Sequence, residues 1–113
     1  MKDLSILALS DVYGDALTVR QHEMLSDYYE RDFSLSEIAD NAGISRQAVH
    51  AAIRQAEDSL KGYESKFGVC AFVSELYRRL NDVRSEKGAL SDSAVQKIAA
   101  LEDFIRSKYG SVR

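Results

Sequence analysis

Not one of the 113 residues is proline, and that absence restricts the fold more than any residue present. Proline lacks the N–H that a helix interior needs and clashes with the preceding turn, so long helices exclude it. Sheet-rich domains, by contrast, use proline with glycine to separate their strands. The six glycines, Gly14, Gly43, Gly62, Gly68, Gly88 and Gly110, fall mostly between stretches of helical periodicity. The chain reads as helix, break, helix: an all-α protein.

The periodicity divides that reading into elements. Leu4, Leu7, Ala8 and Val12 mark a short amphipathic helix. Thr18-Val19-Arg20-Gln21 and Ser34-Leu35-Ser36-Glu37 each match a capping box, in which the first and fourth side chains satisfy each other's orphan backbone N–H groups. The first opens a helix through Tyr28 and Tyr29, with Gln21, Met24 and Leu25 on it, and the second a short one to Ala42, stopped by Gly43. Ser45 is an N-cap for a helix with Val49, Ile53, Ala56 and Leu60 on its buried stripe, bent or ended at Gly62 but continuing through Tyr63 to Phe67. A helix from Val69 to Glu86 follows, with Val69, Phe72, Leu76, Leu80 and Val83 on one face. After a loop at Ser85–Gly88, Ser93-Ala94-Val95-Gln96 reads as a third capping box. It opens a last helix with Ala94, Ile98, Leu101 and Ile105 inward, ending near Tyr109. The expected organisation is a helix-turn-helix domain of three to four helices over residues 1–68 and an appended C-terminal helical hairpin over 69–113, packed on that domain or on a second subunit.

Composition narrows the function classes. At 45% hydrophobic and 29% charged, the chain lies in the globular range and away from disorder. No run approaches the roughly 18 apolar residues of a membrane span, and the first thirteen residues, with Lys2, Asp3 and Asp11, lack the pattern of a signal peptide. A lone cysteine, Cys70, forms no disulfide within the chain and sits among apolar neighbours, so a packed thiol and a cytoplasmic location are expected. His22 and His50 are far apart and have no metal-ligand spacing, and His22 is expected on the surface. No nucleophile has a base beside it and no glycine loop cradles phosphate; neither enzyme nor cofactor is expected.

The stretch Leu35 to His50 carries the functional signal. Two short helices crossing steeply need a small residue at the crossing, which Ala39 supplies, and a turn residue tolerant of positive φ, which Gly43 supplies. Ile38, Ile44, Val49 and Ile53 are spaced to fill the wedge between them. Left exposed on the second helix are Arg46, Gln47, His50 and Arg54, preceded by Ser45, all able to reach base edges or phosphates. These five are the candidate DNA-binding residues. Charge opposes strong monomeric binding, because the chain is −3 overall and phosphate neutralisation drives non-specific affinity. Its distribution is uneven. Residues 18–68 hold six basic and nine acidic side chains, and 69–113 eight and six, yet Ser45 to Ala56 contains Arg46 and Arg54 and no acid.

Together, Leu17-Thr18-x-x-Gln21, Tyr28-Tyr29-x-x-Asp32-Phe33-Ser34-Leu35-Ser36-Glu37-Ile38-Ala39, Ser45-Arg46-Gln47-Ala48-Val49 and Tyr63-Glu64-x-Lys66 resemble the YlxM-type helix-turn-helix family. That family is similar to the fourth region of bacterial sigma factors, which reads the upstream promoter element. The resemblance covers about residues 4–68. It implies no enzymatic activity and a regulatory part in the signal recognition particle pathway, inferred from gene neighbourhood. The recognition role carries over to Ser45, Arg46, Gln47 and His50; many relatives have a tyrosine where this chain has His50.

Two expectations of function follow. One is a regulator that binds double-stranded DNA, as a homodimer if the hairpin pairs two subunits. The other is a non-enzymatic interaction module, its acidic stretch from Glu23 to Asp40 facing a protein or RNA of the signal recognition particle, or RNA polymerase. Tyr28, Tyr29 and Phe33 could stack on single-stranded bases, but at this spacing Tyr28 and Phe33 are more simply core and Tyr29 partly exposed. Arg78, Arg79, Arg84 and Lys87 could bind phosphate, or form the solvated side of an amphipathic helix.

Overall fold

The computed structural model describes every residue except Met1, Lys87, Ala89, Ser111 and Arg113. Among the described residues the secondary structure is entirely helical: α1 (Ser5–Tyr13), a 3-10 turn (Gly14–Ala16), α2 (Val19–Tyr29), α3 (Leu35–Ala42), α4 (Arg46–Phe67), α5 (Val69–Arg84) and α6 (Asp92–Lys108). Both early capping boxes form, with Thr18 Oγ1 accepting from Gln21 N and Ser34 Oγ from Glu37 N, each at 3.1 Å, and the amide and carboxylate returning the bond.

Two hydrophobic clusters organise these helices. The larger joins Ile6 and Leu9 of α1, Met24 and Leu25 of α2, Ile38 and Ala39 of α3, and Val49, Ile53, Ala56 and Leu60 of α4. Val49, Ala56 and Leu60 are completely covered. Each such side chain is worth roughly 1.5–3 kcal/mol if aliphatic and large, which makes α4 the strut on which the domain is assembled. The second cluster holds Val73, Ile105 and Val112, with Ala8 and Val12 packed against it. Helix α1 thus serves both: Ile6 and Leu9 face the first cluster, Ala8 and Val12 the second.

Several expectations are corrected. On α1 the buried positions are Ile6 and Leu9, while Leu4 is exposed, because two partners on different sides widen the apolar stripe beyond the single face that Leu4, Leu7, Ala8 and Val12 suggested. Gly62 does not end α4, which continues through Tyr63 to Phe67 as expected, its packed stripe on either side outweighing the roughly 1 kcal/mol that glycine costs in a helix. Helix α6 begins before Ser93. Its cap is Ser91, whose Oγ accepts from Ala94 N at 3.1 Å, and Asp92 then lies in the first turn, where the helix dipole favours an acid. On α5 the buried residue is Val73, and Phe72 and Val83 are exposed; on α6 only Ile105 is fully buried and Leu101 is exposed. His22 is half-buried rather than on the surface, its ring packed beside Gly14. Of the loop expected at Ser85–Gly88, Lys87 lies outside the described residues.

The joint between α4 and α5 is built from side chains far apart in sequence. Gly68 takes a left-handed conformation, φ 64°, and turns the chain. Glu64 then receives the N–H groups of Cys70 and Ala71, both at 3.0 Å, while the Tyr13 hydroxyl donates to Glu64 Oε1 at 2.7 Å and accepts from Val69 N at 3.0 Å. Three orphan donors at the start of α5 are satisfied by one carboxylate and one phenol. Burial raises the Glu64 pKa, but the bonds from Tyr13, Cys70 and Ala71 outweigh it and the net pKa is below the ordinary value. Burial and the Glu64 carboxylate push Tyr13 upward. Cys70, half-buried near Ala8 O, is pushed up to about 11 by burial first and Glu64 second, which keeps it a thiol.

Candidate nucleic-acid interface

The helix-turn-helix is formed by α3, Gly43 and α4. Gly43 sits at φ 69°, ψ 31°, in the left-handed region that costs other residues about 1–2 kcal/mol. Its N–H and that of Ile44 both return to Ala39 O, closing the turn. Ala39 is buried at the crossing, and Ile38, Val49 and Ile53 fill the wedge, with half-buried Ile44 packed against them.

Of the five candidate residues, Ser45 acts locally, its Oγ accepting from Ala48 N at 3.0 Å to cap α4. Arg46, Gln47, His50 and Arg54 are all exposed on α4. They form two neighbouring rows, one of Arg46, His50 and Arg54 at successive i+4 steps and one beginning at Gln47. The second row continues through Ala51 and Gln55, also exposed, which the motif alone does not single out although the same i+4 spacing marks them. A methyl and a second amide beside Gln47 extend the surface that can contact thymine methyl groups and adenine edges.

The first row does not stand in the open. His50 and Arg54 line a cleft of about 240 Å³ shared with Lys2, Asp3, Tyr29 and Glu57. The Lys2 ammonium lies 4.1 Å from the centre of the Tyr28 ring, donates to Tyr28 O at 2.6 Å and pairs with Asp32 at 2.8 Å. Hydrogen bonding from Lys2 lowers the Asp32 pKa. The Tyr29 hydroxyl donates to Glu57 Oε1 at 2.7 Å, and burial together with that carboxylate raises the phenol pKa. Lys2 thus borders the site as a cation already paired with Asp32, while Asp3 and Glu57 bound it with negative charge. Nothing in the sequence announced this: the contacts span 26 to 30 residues and depend on how α1 and α2 meet α4.

The tyrosines are structural first. Tyr28 and Tyr29 meet edge to face at 5.2 Å between centroids, and with Phe33 they pack half-buried on the main cluster rather than offering a free stacking surface. The arginines of the hairpin are ion-paired as well, Arg78 and Arg79 with Glu75, Arg78 also with Asp82, and Arg84 with Glu102. No cluster of three or more metal-ligating side chains occurs among the described residues, and no helix among them is long and apolar enough to cross a membrane.

Comparison with known proteins agrees with this geometry. Residues 1–102 match the family described as "Putative helix-turn-helix protein, YlxM / p13 like", a span that runs past the expected resemblance into α6. A UPF0122 protein of Symbiobacterium thermophilum is 52% identical, the match covering 89% of this chain and 96% of the relative. Another from Shouchella clausii is 38% identical over 92% of this chain and 94% of its own length. A third, from Caldanaerobacter subterraneus, is 40% identical over 72% of this chain and 69% of its own. With an all-α fold, a closed helix-turn-helix, a family match over residues 1–102 and two relatives matched over nearly their full length, the chain belongs to the YlxM / p13-like helix-turn-helix family, UPF0122.

Proposed function

We propose that this protein is a DNA-binding regulator that inserts the first turns of α4 into the major groove. The observation that carries the reading is the acid-free exposed surface from Ser45 to Ala56 on a helix held at a helix-turn-helix crossing. Arg46 and Gln47 contact bases or phosphates, and His50 and Arg54, at the mouth of the cleft, take a flanking phosphate; Ser45 positions the helix end. Residues 1–68 act as the reading head and 69–113 as an appended hairpin. By its resemblance, the regulated process is protein targeting by the signal recognition particle. A homodimer would add a second half-site to a monomer that is weak for want of net positive charge.

A salt titration against random-sequence duplex DNA tests the reading. Binding falls as salt rises, and Arg46→Ala weakens it by about 1–3 kcal/mol if the contact is to a base, or lowers the salt slope by about one if it is to a phosphate. Negligible wild-type binding at low salt would sink the proposal. A second reading has its own observation: Glu23, Glu30, Glu37 and Asp40 are all exposed on α2, α3 and the turn after α2. In it, that surface captures a protein or RNA component of the signal recognition particle, or RNA polymerase. Arg46→Ala is then neutral, and charge reversal at Glu30 and Asp40 abolishes capture of the purified partner.

A further inference from the structure

Helices α5 and α6 have too thin a core for their length. Among the described residues, their cluster fully buries only Val73, Ile105 and Val112. Phe72 is left 67% exposed and Phe104 70%, with Val83 and Leu101 nearly half exposed. Helical spacing sets Phe72, Leu76 and Val83 along one edge of α5, and Leu101 and Phe104 together on α6. Phe72 and Leu76 of the first edge and Phe104 of the second wall one groove of about 310 Å³ together with Tyr109, and Val83 and Leu101 lie farther along the same helices. The rest of the chain leaves about two thirds of each phenylalanine uncovered.

We infer that this groove is a self-association face, and that a second copy of the hairpin covers it to close a four-helix bundle. The area fits. The four exposed side chains leave on the order of 450 Å² of apolar surface, from the sizes of such residues. A standard interface buries about 800 Å² per partner, somewhat more than half of it apolar, which is the same quantity. The shape fits. A two-fold interface brings one patch against itself, so knobs and hole must lie on the same patch; here two projecting phenyl rings border an apolar groove. The charges fit. Of the groove's lining only Lys108 is charged, and Glu75 and Arg79 on α5 are already paired with each other, so no unpaired like charges on α5 oppose a two-fold partner. Nucleic acid is a poor occupant, because the nearby arginines are ion-paired and the groove is apolar. The overall form agrees: the radius of gyration is 18.0 Å and the long extent 59 Å, where a compact chain of this length has a radius near 13 Å.

Because it concerns association without DNA, this inference stands or falls apart from the DNA-binding reading. Sedimentation of the full chain in the absence of DNA tests it. The expected result is twice the chain mass at high micromolar concentration, falling to one on dilution, and a Phe72→Ser, Phe104→Ser variant that is monomeric with unchanged helical circular dichroism. Hydrogen exchange of the wild type at low and high concentration covers the case in which that variant unfolds. Protection that rises with concentration in residues 72–83 and 101–108 is the expected pattern. A wild type that remains monomeric throughout, a folded variant that still dimerises, or concentration-dependent protection confined to other elements would overturn the assignment.

Discussion

At the scale of single residues, Gly43 and Tyr29 make separable demands. A Cβ at Gly43 would meet nothing within 4 Å, so the cost of Gly43→Ala is backbone strain alone. At φ 69° that strain is about 1–2 kcal/mol. Urea unfolding should register the loss without a change in slope, whereas a variant as stable as wild type would show that the turn relaxes. Tyr29→Phe removes the hydroxyl that reaches Glu57 across the edge of the cleft. It should lower stability by about 1 kcal/mol. Gly43 was legible from sequence because a helix stop is a local property of the backbone. The Tyr29–Glu57 bond was not, because its partners are 28 residues apart and meet only once α2 is seated on α4.

At the scale of helices, caps decide where each element begins, and serines are easily misread when several stand close together. Ser91 and Ser93 both precede the last apolar stripe, and Gln96 makes Ser93 look like the first member of a capping box. The helix instead starts at Asp92, where Ser91 satisfies Ala94 N and the acid complements the dipole. Ser91→Ala should therefore destabilise the hairpin by about 0.5–2 kcal/mol, and Ser93→Ala should leave thermal melts nearly unchanged. The reverse order would mean that α6 begins later, with Ser93 as its cap. Ser45→Ala should cost a similar amount at the head of α4. If α4 reads DNA as proposed, weakened binding by this variant would arise from fraying of the helix start and not from a lost contact.

At the scale of the whole molecule, Glu64 and Tyr13 tie the hairpin to the helix-turn-helix. Tyr63-Glu64-x-Lys66 carries part of the family resemblance, and the structure gives its glutamate a physical role, that of capping α5 across the Gly68 turn. The Glu64 pKa is lower in the folded protein than its ordinary 4.5. The stability this contributes is complete above that ordinary value and is lost as pH falls through the folded pKa. Glu64→Gln should melt below wild type at neutral pH, with the gap closing as pH drops below about 4.5. A gap that stays constant across that range would remove the carboxylate's charge from the account. Tyr13→Phe should loosen the same joint, seen as faster amide exchange at Val69.

The sequence by itself determined the all-α class, the helix-turn-helix and the surface it leaves exposed. Each of these follows from rules that act within a few residues: proline exclusion, a 3.6-residue apolar period, a cap three residues from its partner and a glycine at positive φ. Tertiary structure decided what depends on which surfaces meet. It made α1 two-faced, placed Lys2 beside His50 and Arg54, and used Glu64 as a cap for the next helix. It also turned the hairpin so that Phe72 and Phe104 stay outside while Val73 and Ile105 go in. An apolar period shows that a helix has a face to bury, but its partner lies elsewhere in the chain or in another molecule, and only the assembled surfaces choose which edge of that face is covered.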